Sequence, residues 1–422
     1  MIKQKIPYNS KVDETVELLL EGYLFIKNRK EKHKADIFYT RLMGRKVICM
    51  TGEEGAKLFY NNDFFKRRGA ASYRIQQSLF GVNAIQTMDG EAHQHRKKLF
   101  MSFMIDKKID QLKALMKKHW LNHMDSVSSL GQVHLFDEVQ QILCKAACEW
   151  ANIPLRDEEV KDRANDLGKL VDAFGAVGPR HWQGRTARNR TEQWLMTMIE
   201  QVRSGKLDIP KNSILYVFSN HKDYENELLD VRMAATEIIN ILRPIVAIAT
   251  YITFCAHALY NYPNSKGRIQ NNKLNFLQMF VQEVRRFYPF GPYLGAIVKK
   301  KFMYNDIIFT RGQLVLLDLY GTNHDERIWD EPNKFNPNRF ENWVDNHYQL
   351  IPQGGGNYDI HHRCAGEQLT IEIMKTATEL LVKHMTYTVP EQDLSVSLRR
   401  MPTLPEDRFI IENISVKKNL QM

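Results

Sequence analysis

The feature that most limits what this chain can become is a helical pattern from Leu228 to Tyr260 with an arginine and a proline in its apolar middle. Pro244 removes one backbone hydrogen bond and crowds the carbonyl four residues earlier, at Asn240. The sequence therefore predicts a kink or opened turn there, and a groove of that kind can admit a ligand. Arg243 precedes the proline within the apolar run Ile238 to Ala258. A guanidinium buried there without a partner is costly. Three partners are open to it: a protein carboxylate, water reached by snorkelling, or a bound acid held by two parallel hydrogen bonds. The most apolar part, Ile245 to Ala258, is about 14 residues long, short of the roughly 20 needed to cross a bilayer. A buried core helix is expected. The N-terminal MIKQKIPYNS has no apolar core of signal-peptide type, so the expected location is the cytoplasm.

Helical spacing dominates the rest. It predicts helices over Ser10 to Phe25, Gly52 to Tyr60, Asp157 to Val177, Thr186 to Arg203 and Phe276 to Tyr288. Two more are expected between Ile105 and Trp150, broken near Gly131. Strands are expected at Asp36 to Leu42 and Arg45 to Met50 around a turn at Gly44, and between Gly295 and Asp318. Gly321 to His361 has little periodicity, and an irregular stretch of that length is usually functional. A last helix is expected from near Cys364 to about His384, followed by a terminal hairpin. The fold class is mainly α with minor β. No linker, repeat or low-complexity tract divides the 422 residues, so one unit over 1–422 is expected, large enough to bury a cofactor.

Hydrophobic residues at 43% and charged residues at 26% suit an ordinary globular chain. The net charge of +10 admits nucleic acid, anionic membrane or acidic ligands as partners. The basic residues are scattered and no nucleic-acid motif appears, so a basic solvated surface is the reading and no nucleic-acid partner is expected. Five cysteines in a chain this long do not form a disulfide framework. Cys49, Cys144, Cys148 and Cys255 lie in apolar runs. Cys364 instead follows Gly354-Gly355-Gly356 and Arg363 and precedes Ala365-Gly366. The glycines allow close backbone approach to a flat ligand, and a helix start with adjacent cations favours thiolate. No second Cys or His stands at zinc spacing. A single thiolate below a haem iron fits; a free thiol at a Gly-rich turn is the alternative.

A second signal bears on that choice. Glu283-Val284-Arg285-Arg286 is followed by Phe335-Asn336-Pro337-Asn338-Arg339-Phe340 and then by Cys364-Ala365-Gly366. In this order the three segments resemble the cytochrome P-450 superfamily, whose fold places haem between a long central helix and the cysteine loop. The resemblance implies a lock of Glu283, Arg286 and Arg339 below the haem, with Cys364 as axial ligand. Two departures matter. The loop from Pro352 to Cys364 is longer than usual and lacks a starting Phe. The acid–alcohol pair of a typical monooxygenase is replaced by Asn240-Ile241-Leu242-Arg243-Pro244. Both departures resemble the bacterial fatty-acid peroxygenases and their olefin-forming decarboxylases.

That resemblance implies a hydrogen-peroxide-dependent enzyme with haem b as cofactor. It hydroxylates long-chain fatty acids at the α or β carbon, with decarboxylation to terminal alkenes as the alternative outcome. Arg243, beside Pro244, binds the substrate carboxylate, which replaces the missing acid–base group. Gln86 occupies the position where olefin-forming members carry His. Arg67, His93, Arg96 and His362 or Arg363 correspond to residues that hold haem propionates, although His93 alone reads equally well as a surface helix residue. Phe80, Val171, Phe174 and Phe290 correspond to residues of the substrate channel. No redox partner is implied. The rival readings are a reductase-fed monooxygenase, a non-catalytic haem sensor, and a basic binding protein without haem.

Overall fold

The computed structural model describes residues 12–271 and 275–417. The polar N-terminal decapeptide, and with it the expected helix start at Ser10, lies outside the described residues. The first helix divides in two. Thr15–Glu21 ends at Gly22, a single 3-10 turn covers Gly22–Leu24, and a second helix runs Phe25–His33. Gly22 has φ +59°, and a Cβ there would fall 2.3 Å from the Leu398 carbonyl oxygen. The break thus answers a backbone approach from the far end of the chain, which local periodicity does not contain.

Ile37–Leu42 and Arg45–Met50 pair antiparallel around Gly44. They form one edge of a five-stranded sheet. Arg45–Met50 pairs parallel with Leu314–Asp318, which pairs antiparallel with Tyr293–Val298, and Phe65–Lys66 closes the far edge. The helix Gly52–Phe59 follows as expected. Helices Asp106–Val127 and Leu135–Ala151 flank a short strand, Gln132–His134, just after Gly131. Helix Val160–Asp172 stops earlier than its pattern suggested, and the next begins at Pro179 rather than Thr186. A proline in the first turn loses no helical hydrogen bond. Gln132–His134 pairs with Ile410–Val416, which pairs with Met385–Thr388, so the expected terminal hairpin is the wider part of a three-stranded sheet.

The central helix is Val231–Asn261, started by the Asp230 carboxylate accepting the Met233 N–H at 2.9 Å. It continues through Pro244 without a break, so the opened turn expected there does not form. Every residue from Ala234 to Leu259 except Pro244 is buried. At 31 residues the helix is longer than its most apolar run suggested, long and apolar enough by itself to cross a membrane. Of that apolar window, 94% is buried inside the protein, which makes it the core helix. Leu135–Ala151, Pro179–Arg203 and Glu367–Glu379 pack around it. Glu367–Glu379 begins three residues after Cys364, so the core helix and the cysteine loop are held by one packing unit.

Candidate active site

The segment below the cysteine is locked as its sequence predicts. Glu283 and Arg286 share a face of Phe276–Phe287 and are fully buried. Arg286 donates to both carboxylate oxygens of Glu283, at 2.7 and 2.8 Å. Arg339 reaches the same carboxylate at 3.2 Å. Arg286 also donates to the carbonyls of Asn323 and Pro332 at 2.9 Å, and Glu283 accepts the Asn336 N–H at 2.7 Å. The long irregular stretch is therefore pinned by a buried charge cluster in place of regular backbone pairing.

A second cluster holds the cysteine loop itself. Glu367 accepts from Arg363 Nε at 2.7 Å and from Tyr358 at 3.1 Å, and it pairs with Arg285. Arg363 continues to Asp345 at 2.7 Å. Burial works against the Glu367 carboxylate, but Arg285 and Arg363 overcome it and hold Glu367 below its ordinary value. Gly354 and Gly356 have φ +89° and +80°, and added Cβ atoms would meet Tyr60 Oη at 2.8 Å and His361 Nδ1 at 2.4 Å. These glycines serve the turn and its close packing on Tyr60 and His361.

Cys364 differs from the expectation of a ready thiolate. Burial raises its thiol and Glu367 adds to that, while Lys97 and Arg285 oppose it. Arg363, its chain neighbour, spends its charge on Glu367 and Asp345. An iron at this position would supply the missing positive charge, because a bound metal deprotonates a coordinating thiol outright.

Beside the loop lies a buried set of cationic and imidazole groups. Arg67 and His93 are 7% and 3% exposed. His93 is thus no surface residue; its ring stacks on His362 with centroids 3.9 Å apart. Burial, with Lys97 and Arg67 nearby, lowers His93 to about 4. His362 is lowered well below its ordinary value by burial, then by His93, Arg67 and Lys97. Among the described residues no carboxylate forms an ion pair with Arg67, His93, Lys97 or His362; Asp89, near Arg67, accepts backbone N–H groups instead. A buried basic set without an internal anion fits the two propionates of a haem.

Two expected members of this set are elsewhere. Arg96 is buried against Glu237, its Nη1 2.6 Å from Oε1, and Arg363 belongs to the loop network. Lys97 takes the place beside His93 and donates to the carbonyl of Arg363. Positions 96 and 97 stand three and four residues from His93, so spacing admits either; the Glu237 carboxylate takes Arg96 and leaves Lys97 to the set.

Arg243 is 7% exposed. Among the described residues its one hydrogen bond is from Nη2 to Asn240 Oδ1, 3.1 Å away on the same helix. Its Nε is buried with no partner, and among the described residues no carboxylate forms an ion pair with it. Burial, then Arg188, lowers it to about 9, against a partial opposing effect of Cys364. Its guanidinium carbon stands 5.9 Å from the Phe80 ring centroid.

Glu237, one and two turns before Asn240 and Arg243, was not singled out in the sequence. It accepts from Arg96, from the Ile85 N–H at 3.1 Å and from Asn240 at 3.2 Å. Asn240 in turn donates to the Phe80 carbonyl at 2.9 Å. The network fixes the Phe80–Gln86 segment against the helix that carries Arg243. Gln86 follows Ile85, and its side-chain oxygen is buried without a partner. Phe290 stacks on Tyr251, two turns beyond Arg243, at 4.5 Å. Val171 and Phe174 are half-buried at the end of Val160–Asp172, a helix that packs on Gln76–Phe80.

The family model for cytochrome P-450 matches residues 263–412, the stretch with the Glu283 lock and Cys364. Protopanaxadiol 6-hydroxylase of Panax ginseng is 21% identical over 378 residues, 82% of this chain and 79% of that protein. The match to rat cytochrome P-450 3A18, 26% identical, covers 43% of the rat protein. Solved structures agree over nearly the whole chain. Cytochrome P-450EX alpha, solved with myristic acid, is 43% identical, with 98% of this chain and 99% of that one covered and a TM-score of 0.94. A variant of cytochrome P-450SP alpha is 39% identical, with 96% and 99% covered and the same TM-score. A variant of cytochrome P-450 OleT in complex with arachidonic acid is 35% identical, with 98% and 99% covered and a TM-score of 0.94.

Proposed function

The chain belongs to the cytochrome P-450 family, in the fatty-acid peroxygenase and decarboxylase branch with P-450SP alpha, P-450EX alpha and OleT, and from this we propose that it oxidises long-chain fatty acids with hydrogen peroxide. The observation that carries the reading is Arg243, a buried guanidinium in the core helix with no carboxylate paired to it among the described residues. Bidentate hydrogen bonds from a fatty-acid head satisfy it. In this reading Cys364 ligates the iron of haem b, and Arg67, His93, Lys97 and His362 hold the propionates. When bound, the haem supplies peroxide activation and removal of a substrate hydrogen.

The protein residues supply position and a proton carrier. Arg243 fixes the acid head, so one carboxylate oxygen can take a proton from hydrogen peroxide and return it. No side chain from Asn240 to Pro244 offers that acid–base function. With the head fixed, the carbons nearest it are the ones presented for reaction, and positioning sets the α or β outcome. Asn240 holds Arg243, Pro244 follows it without an N–H, and Glu237 holds Asn240 together with the Phe80–Gln86 segment. Phe80, Val171, Phe174 and Phe290 line the path of the tail. The product is mainly the hydroxy acid, because Gln86 donates hydrogen bonds but cannot titrate as a His would. Loss of carbon dioxide to give a terminal alkene is the second outcome of the same site, favoured by the full-length likeness to OleT. Residues 1–422 form one catalytic domain in this reading, located in the cytoplasm; the one long apolar helix among the described residues is core.

The test has two parts. The ferrous carbon monoxide complex should show the strongly red-shifted Soret band of a thiolate ligand, lost in Cys364→Ala. A saturated long-chain acid should turn over with hydrogen peroxide and not with NADPH and a reductase. Turnover that needs the reductase overturns the proposal.

A further inference from the structure

We infer that the Gln353 side chain tunes the electron donation of the Cys364 sulfur, through an N–H···S hydrogen bond whose direction is set by Arg285. The inference rests on the haem-thiolate reading above. Gln353 Nε2 lies 3.7 Å from Cys364 Sγ and 3.2 Å from Thr370 Oγ1. The oxygen of the same amide accepts from Arg285 Nη2 at 3.2 Å. An amide fits such a space either way round, and its neighbours decide the orientation. Arg285 has donors only, so it requires the amide oxygen. Thr370 gives its own proton to the Gly366 carbonyl at 2.8 Å, so its oxygen is left to accept. Both neighbours demand the same orientation, and that orientation turns one amide N–H toward the sulfur.

The orientation is held from behind. Arg285 is 1% exposed and paired with Glu367, which Arg363 also grips. The backbone carbonyl of Gln353 accepts the Cys364 N–H at 3.2 Å, so residues 353 and 364 are joined through main chain and side chain together. A hydrogen bond to a ligating sulfur draws charge toward the donor and leaves less for the metal, one of the means by which surrounding groups set a haem potential. Gln353 is thus a positioning and tuning residue on the side of the cysteine, remote from Arg243 in sequence and in task.

The experiment compares wild type with Gln353→Leu and Gln353→Glu in the haem-loaded protein. The readouts are the infrared C–O stretch of the ferrous carbon monoxide complex and the midpoint potential. Leu removes the donor. Glu keeps the shape and the oxygen facing Arg285, yet turns an acceptor to the sulfur. Both variants should lower the C–O frequency and shift the potential negative. Wild-type frequency and potential in either haem-loaded variant overturn the inference while leaving the haem-thiolate reading intact. A wild-type protein without the red-shifted carbon monoxide band removes that reading, and the inference with it.

Discussion

Replacing Arg243 with Leu should move ligand-free stability and fatty-acid affinity in opposite directions. Arg243 is a buried charge with one hydrogen bond and an unpartnered Nε among the described residues. Its depression to about 9 is the sign that burial disfavours its charged form. A shorter, apolar side chain removes that buried charge, so the melting temperature of ligand-free Arg243→Leu should be equal to or above that of wild type. Fatty acid reverses the order. A hydrogen bond to a charged group contributes about 1.5–3 kcal/mol net, so the variant should bind a long-chain acid about ten- to a hundred-fold more weakly. Ligand at about 100 times its Kd stabilises a protein by about 2.7 kcal/mol, and at the same concentration the variant should lose about 1.3 kcal/mol of that for ten-fold weaker binding and about 2.3 kcal/mol for a hundred-fold. The pH dependence carries the same sign. Binding an anion favours the charged guanidinium, so wild-type affinity should fall as pH rises through about 9, and the affinity of Arg243→Leu should not. Differential scanning fluorimetry with and without a saturated acid, and a spectral titration across pH, measure all of this. A variant that melts far lower when empty and binds acid normally would show that Arg243 is a structural residue, and would refute the reasoning.

Three further outcomes are expected. Gln86→His should raise the alkene share among products from a saturated acid and hydrogen peroxide, measured by mass spectrometry; an unchanged share means this side chain does not steer the partition. Glu283→Gln leaves Arg286 and Arg339 buried without their carboxylate, and should cost about 3–5 kcal/mol in denaturant unfolding. Asp318 is buried at the end of strand Leu314–Asp318, and burial raises it to about 7. Its native form holds a proton that the unfolded chain releases near 4, so wild-type stability declines as pH rises from about 4 to 7. Asp318→Asn keeps an acceptor for the Gly321 N–H, and its stability relative to wild type should increase over that window and level off above it.

The site was legible where its chemistry is carried by residues at fixed local spacing. Glu283 and Arg286 share a helix face by their three-residue separation, and the structure closes that pair with Arg339. Arg243 stood out because a charge in an apolar run must be explained by something. The errors share one cause, which is that long-range partners are absent from local sequence. Arg96 looked like a propionate holder until Glu237, 141 residues away, appeared as its partner. Arg363, the alternative to His362 for that role, is instead taken by Asp345 and Glu367. The first helix broke at Gly22 because the Leu398 carbonyl comes up against it. Lys97 was missed for the same reason, since spacing from His93 admits both it and Arg96, and Glu237 decides between them. Pro244 does not end the helix Val231–Asn261, whose residues on both sides of the proline are buried against the rest of the protein.

The central claim is that a carboxylate held by Arg243 carries the proton in peroxide chemistry, and a short acid separates from the substrate tests it most directly. Wild type should be given hydrogen peroxide and an aromatic substrate that lacks a carboxylate, with and without a short-chain carboxylic acid. Oxidation should appear only when the short acid is present, and Arg243→Leu should stay inactive in both cases. Equal oxidation without the acid, or full rescue of Arg243→Leu by it, would contradict the account.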